Sequence, residues 1–123
     1  MKLHLAGKTA QNLFTGYGAG YVSVNSVEHR TSLVVLPDQL ILDWSARRFE
    51  SLTAADFAPL ATLGREILLL GTGAKIRFPR PEILRPLIEA RVGVEVMDVQ
   101  AACRTYNILA AEDRKVAAAL LFE

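Results

Sequence analysis

The sequence predicts an α/β protein with an antiparallel β-meander at its N-terminal end, and three observations predict it. Segments before Trp44 alternate at period two; Ile67-Leu68-Leu69-Leu70 is an unbroken apolar run; and a helical pattern separates that run from a further strand, Val94-Glu95-Val96-Met97. Alternation marks a strand with one covered face, whereas a short continuous apolar run marks a strand covered on both.

Taken in order, residues 1–20 are polar and punctuated by Gly7, Gly16, Gly18 and Gly20, and read as an arm that docks through Leu13, Phe14 and Tyr17. Tyr21 to Asn25 reads as a strand. His29 to Leu36 reads as another, with Thr31, Leu33 and Val35 on one face and Ser32, Val34 and Leu36 on the other. Pro37-Asp38 is a turn signal, after which Leu40 to Trp44 returns as a hairpin strand. Thr53 is the expected N-cap of a helix with Asp56 near its positive end, and Pro59 should shorten or split that helix.

The texture changes at Arg65. The run Ile67 to Leu70, a crossover helix over Pro81 to Arg91 with Ile83, Leu84, Leu87 and Ile88 on one side, and the strand Val94 to Met97 make a β-α-β unit. Gly93 is read as closing the helix, and Pro86 disturbs its first turns. Asp98 to about Ala111 is the next helix, with Val99, Ala102, Cys103, Tyr106 and Ala110 spaced to face inward. Arg104 and Asn107 lie on a neighbouring stripe and can act on one neighbour. After the turn Glu112-Asp113-Arg114, Val116 to Phe122 is apolar enough for a central strand.

Composition narrows the function classes. At 123 residues and 51% hydrophobic, the chain is expected to form one domain, 1–123, with a single core. Fourteen basic against thirteen acidic residues give a net charge of +1, so nucleic acid binding has no global electrostatic support. One cysteine forms no internal disulfide, the apolar runs are too short to span a bilayer, and residues 1–13 hold no continuous apolar signal region. A cytoplasmic protein without an integral membrane segment is the expectation.

Candidate sites are few. Gly71-Thr72-Gly73 follows a strand, where glycines let a backbone approach an anion. It lacks the third glycine of a dinucleotide fingerprint and the Gly-Lys-Ser/Thr of a phosphate loop, so a packing turn and a ligand or partner contact are both open. Cys103 would be a nucleophile if the helix N-terminus and Arg104 activated it. The sequence brings neither His4 nor His29 to it as a base, and core packing is the preferred reading. Arg104 and Asn107 together suit a carboxylate or phosphate, the alternative being a tie from Arg104 to Asp98 or Glu95. Glu66, Glu95 and Asp98 lack partner histidines, so neither metal nor cofactor is expected. Lys75, Arg77, Arg80 and Arg85, with Phe78 among them, form a basic run that reads as a solvated rim or a contact for an acidic partner.

In order along the chain, Ile67 to Gly73, Phe78-Pro79, Gly93 to Asp98, Ala101 to Leu109 and Val116 to Leu120 resemble the Mth-type domain of unknown function family. The likeness runs from about Tyr21 to the C-terminus. It implies a three-layer (β+α)/β/α arrangement: a mixed central sheet of about five strands, helices on its faces, and an additional layer from the meander. It also implies a last strand inserted antiparallel to its neighbours. Eukaryotic members act in assembling a respiratory complex or in regulating adipocyte differentiation, and no catalytic residues come with the family. The leading expectation is therefore a non-enzymatic interaction or assembly-type domain with an unknown protein partner. It would present Gly71, Thr72, Gly73, Phe78, Asp98, Arg104 and Asn107. The alternative is a binder or enzyme for an anionic small molecule at the glycine loop and Arg104/Asn107. An exposed apolar meander would make a homodimer reasonable.

Overall fold

A computed structural model describes residues 11–122. A five-stranded mixed sheet lies at its centre, ordered β5-β4-β8-β6-β7, with β4 Leu33–Leu36, β5 Gln39–Ile41, β6 Ile67–Gly71, β7 Gly93–Met97 and β8 Val116–Leu120. A separate antiparallel sheet holds β1 Phe14–Gly18, β2 Tyr21–Val24 and β3 Val27–His29. The helices are α1 Ala54–Phe57, α2 Pro81–Glu89 and α3 Val99–Ala111.

The period-two geometry of the central strands divides their side chains between two cores. Leu33, Val35, Leu69, Val116, Ala118 and Leu120 point to a cluster closed by α3 and by Phe14, Val22 and Val24 of the small sheet. Val34, Leu36, Leu68, Leu70, Ala117 and Ala119 point the other way, to Trp44, Phe57, Leu60 and Leu87. The layers are thus meander with α3, central sheet, and α1 with α2. This is the (β+α)/β/α order expected. The alanines of β8 keep the middle of the sheet thin, Ala118 on the side where α3 lies over β6 and β8, and Ala117 and Ala119 on the other.

Several expectations need correction. Residues 1–10, including His4, fall outside the described residues; of the rest of the arm, Leu13, Phe14 and Tyr17 do dock on the core, but Phe14–Gly18 does so as a strand, β1, paired with Tyr21–Val24. The strand read over His29 to Leu36 is two strands in different sheets, broken at Arg30 to Ser32, where the buried Ser32 hydroxyl donates to the Ala46 carbonyl. Its return strand ends at Ile41, because Trp44 turns inward and donates its indole N–H to the Asp56 carbonyl at 2.8 Å.

Helix α1 is short, as Pro59 predicted, and leads into a 3-10 turn over Pro59–Thr62. Asp56 accepts the Thr53 backbone N–H at 2.9 Å and so caps its start. Helix α2 runs through Pro86 but stops at Glu89, and Ile88 faces outward at 57% exposure. Arg91, at φ 62°, makes the left-handed turn after it, and Gly93 is instead the first residue of β7. Strand β8 is antiparallel to β4 but parallel to β6, so it is not antiparallel to both neighbours. The apolar residues Phe14, Val22 and Val24 of the meander are buried against α3, while Val27 of β3 is 58% exposed.

Candidate functional site

Strand β6 ends in Gly71, directly beneath α3. A Cβ there would lie 2.7 Å from Leu120 Cδ2, 3.2 Å from Val99 Cα and 3.3 Å from Ala102 Cβ, so the position has a packing reason for glycine. Thr72 is fully buried. Its hydroxyl donates to the Lys75 carbonyl at 2.8 Å and accepts the Arg77 N–H at 2.9 Å, closing the base of the loop that leads to α2. Gly73 adopts φ 103°, a conformation L side chains resist, and its carbonyl accepts the Val99 N–H at 2.9 Å.

Asp98 caps α3, its carboxylate accepting the Ala101 N–H at 2.9 Å. Gly73 and Asp98 meet at a cavity of about 550 Å³, whose other walls are the β1–β2 turn Gly18 to Gly20, Ala74, Val99, Gln100 and Phe122. The lining carries one acidic side chain and neither lysine nor arginine. Val99, Ala101 and Ala102 already donate their N–H groups to Gly73 or Asp98. An anion here would meet a carboxylate and a helix end whose donors are largely taken.

Arg104 and Asn107 do act on one neighbour, but it is β1. The Asn107 amide accepts the Phe14 N–H at 2.9 Å and donates to the Phe14 carbonyl at 2.8 Å, as a further strand would. Arg104 donates to the Tyr17 hydroxyl at 3.3 Å, a contact that raises the guanidinium pKa above its ordinary value. Neither lines the cavity. Tyr106 completes the clamp: its hydroxyl donates to the Asn12 carbonyl at 2.9 Å, and its ring meets Phe14 edge-on with centroids 5.1 Å apart.

Asn12 is the residue the sequence reading missed. Its amide donates to Leu36 and Gln39 carbonyls and accepts from Asn25, tying residues 11–14 to the β4–β5 turn. A lone asparagine in a polar stretch gives no signal of this. Cys103 is buried among core side chains, and burial pushes its thiol up to about 12, the opposite of what a nucleophile needs.

Phe78 stands apart from the rest. It is 71% exposed and borders a groove of about 380 Å³ between the β6–α2 loop and Phe49. Among the described residues, none of the helices is long and apolar enough to cross a membrane, and no group of three or more His, Cys, Asp or Glu could hold a metal ion.

Known proteins share this arrangement. The crystal structure of a Bordetella parapertussis protein superposes with a TM-score of 0.86 at 43% identity, over 93% of this chain and 98% of that one. A Bordetella pertussis protein described as a Mth938-like domain gives 0.77 at 39% identity, over 92% and 87%. Mouse NADH dehydrogenase [ubiquinone] 1 alpha subcomplex assembly factor 3 is 33% identical over 90 residues, which is 72% of this chain and 48% of the mouse protein. The chain spans about half the length, or less, of the first such relatives it matches. Residues 14–121 match the family described as protein of unknown function (DUF498/DUF598), and the chain belongs to that family.

Proposed function

We propose that this chain is a non-enzymatic interaction module of the assembly-factor type, presenting the β6–α2 loop and the neighbouring start of α3 to a protein partner. The observation that carries the reading is Phe78, an aromatic ring left 71% exposed on a loop whose base the buried Thr72 holds fixed. Covering such a ring on a partner contributes about 2–3 kcal/mol, and a preformed loop loses little entropy on binding. The mouse relative, named as an assembly factor, supports the same role. So does the internal use of Arg104, Asn107 and Gly71, which hold β1 and seat α3 where a catalytic set would need free groups. A cytoplasmic location belongs to the proposal and is checked by fractionating the host.

The cavity beside Gly73 and Asp98 favours a second reading, a small-molecule binder. Asp98 on its wall makes a neutral or cationic ligand the better fit than the anion inferred from sequence.

Affinity capture of the tagged chain from its host, beside a thermal-shift screen of anionic, neutral and cationic metabolites, separates the two. The first reading expects a protein partner at stoichiometric yield and a flat screen. A metabolite that raises the unfolding temperature, with no protein recovered, overturns it in favour of the second.

A further inference from the structure

The groove beside Phe78 has a charge pattern as well as an apolar wall. Phe49, Pro79 and Ile83 line it with Phe78, and Ile76 lies nearby on the same loop at 48% exposure. Arg77 sits over the Phe49 ring at 4.5 Å and reaches Glu50 at 2.9 Å; Arg48 approaches the same carboxylate at 3.7 Å. Arg80 lines the groove with no ion pair among the described residues. Two guanidiniums therefore share the Glu50 carboxylate and a third, Arg80, is left without one; the Glu50 pKa is held low by its own backbone and by Arg77, so it is ionised at neutral pH.

We infer that this groove docks an acidic segment of a partner protein, seating one of its apolar side chains against Phe78 and Ile83 while its carboxylates meet Arg80 and Arg77. The inference rests on the interaction-module reading and adds the chemistry of the partner. Charge complementarity selects the occupant: the surplus is positive, and guanidiniums bind carboxylates in two-point fashion. Nucleic acid fits less well, because Glu50 stands among the cations and would face the phosphates, and the whole chain carries only +1. A second copy of the chain presenting a basic groove would be repelled by it. Apolar contact with Phe78 supplies the anchor, and Arg80 sets the sign of charge accepted.

The test is selection of a random dodecapeptide library against the full chain, followed by fluorescence anisotropy of the enriched peptides on wild type, Phe78→Ala and Arg80→Glu. Both side chains are exposed, and unchanged unfolding temperatures confirm that the variants fold. Enriched peptides are expected to be net acidic with an aromatic or aliphatic anchor. They should weaken about tenfold or more on either variant and several-fold with added salt. Neutral or basic peptides, peptides indifferent to both variants, or an empty selection overturn the inference. So does preferential binding of a mixed-sequence single-stranded DNA or of vesicles containing phosphatidylserine. Peptides that bind independently of Phe78 and Arg80 would remove the groove and leave the interaction reading standing; that reading itself fails on host capture without a partner.

Discussion

Two stretches of this chain carry the residues that look functional in sequence, and the structure uses them in opposite ways. Along α3 and its cap, Asp98, Tyr106 and Asn107 spend polar groups on Ala101, Asn12 and Phe14, and the exposed Arg104 donates to Tyr17. In the loop from Thr72 to Arg80, the buried Thr72 hydroxyl and the backbone of Thr72 and Gly73 do the holding, and Ile76, Phe78 and Arg80 face solvent. Similar chemistry thus serves architecture in one place and is left available in the other. The lesson is that a polar residue counts toward a site only after its internal partners have been counted.

The comparison breaks most readily at Gly71. Gly71→Val should cost about 2–3 kcal/mol, because backbone at Val99 and the packed Ala102 and Leu120 stand where its side chain would go; chemical denaturation measures this. Next, Asn107→Ala should cost about 2 kcal/mol by stranding both backbone groups of Phe14. Hydrogen exchange should then show β1 opening before the central sheet. If β1 keeps its protection in that variant, α3 is not what holds the small sheet.

A further effect, confined to alkaline pH, is expected from titration. Burial pushes the folded Cys103 thiol up to about 12 from an ordinary 9.0, so the unfolded chain releases this proton first as pH rises. Its contribution is fully present below pH 9 and declines between 9 and 12, by up to about 1.4 kcal/mol per pH unit. Tyr106, also raised by burial, adds to the decline from a slightly higher pH. Thermal unfolding across this range should therefore fall less steeply in Cys103→Ala, and the native thiol should resist alkylation at neutral pH. Smallest of all is Phe78→Ala, expected to stay within about 0.5 kcal/mol of wild type, since its side chain is mostly in water.

Residues 67–122 were largely legible in sequence because their signals are local and repeated. The run Ile67 to Leu70, the inward spacing from Val99 to Ala110 and the apolar Val116 to Leu120 each depend on one period. The structure buries the residues so marked, Ile67 only in part. What failed there depended on distant partners: the parallel pairing of β8 with β6, and the outward turn of Ile88. Residues 11–44 were harder. The β1 strand is fixed by Asn107 and Tyr106, more than 90 positions away, and by the single asparagine Asn12, none of which leaves a pattern in its own sequence. The break before β4 is likewise set by a contact from Ser32 to Ala46. The pairing of Arg104 with Asn107 was legible from their spacing, but the neighbour they act on was not. Gly73 and Asp98 share a cavity, Arg104 and Asn107 share β1, and Phe78 belongs to neither.

Arg104 and Phe78 are both exposed, and only the second is assigned to a partner, so the most direct measurement compares them. Full-length wild type, Arg104→Ala and Phe78→Ala are used to capture the host partner side by side, with matched unfolding temperatures as the control. Retention by Arg104→Ala and loss by Phe78→Ala is the predicted result; loss by Arg104→Ala with retention by Phe78→Ala would contradict the division of labour between the two stretches.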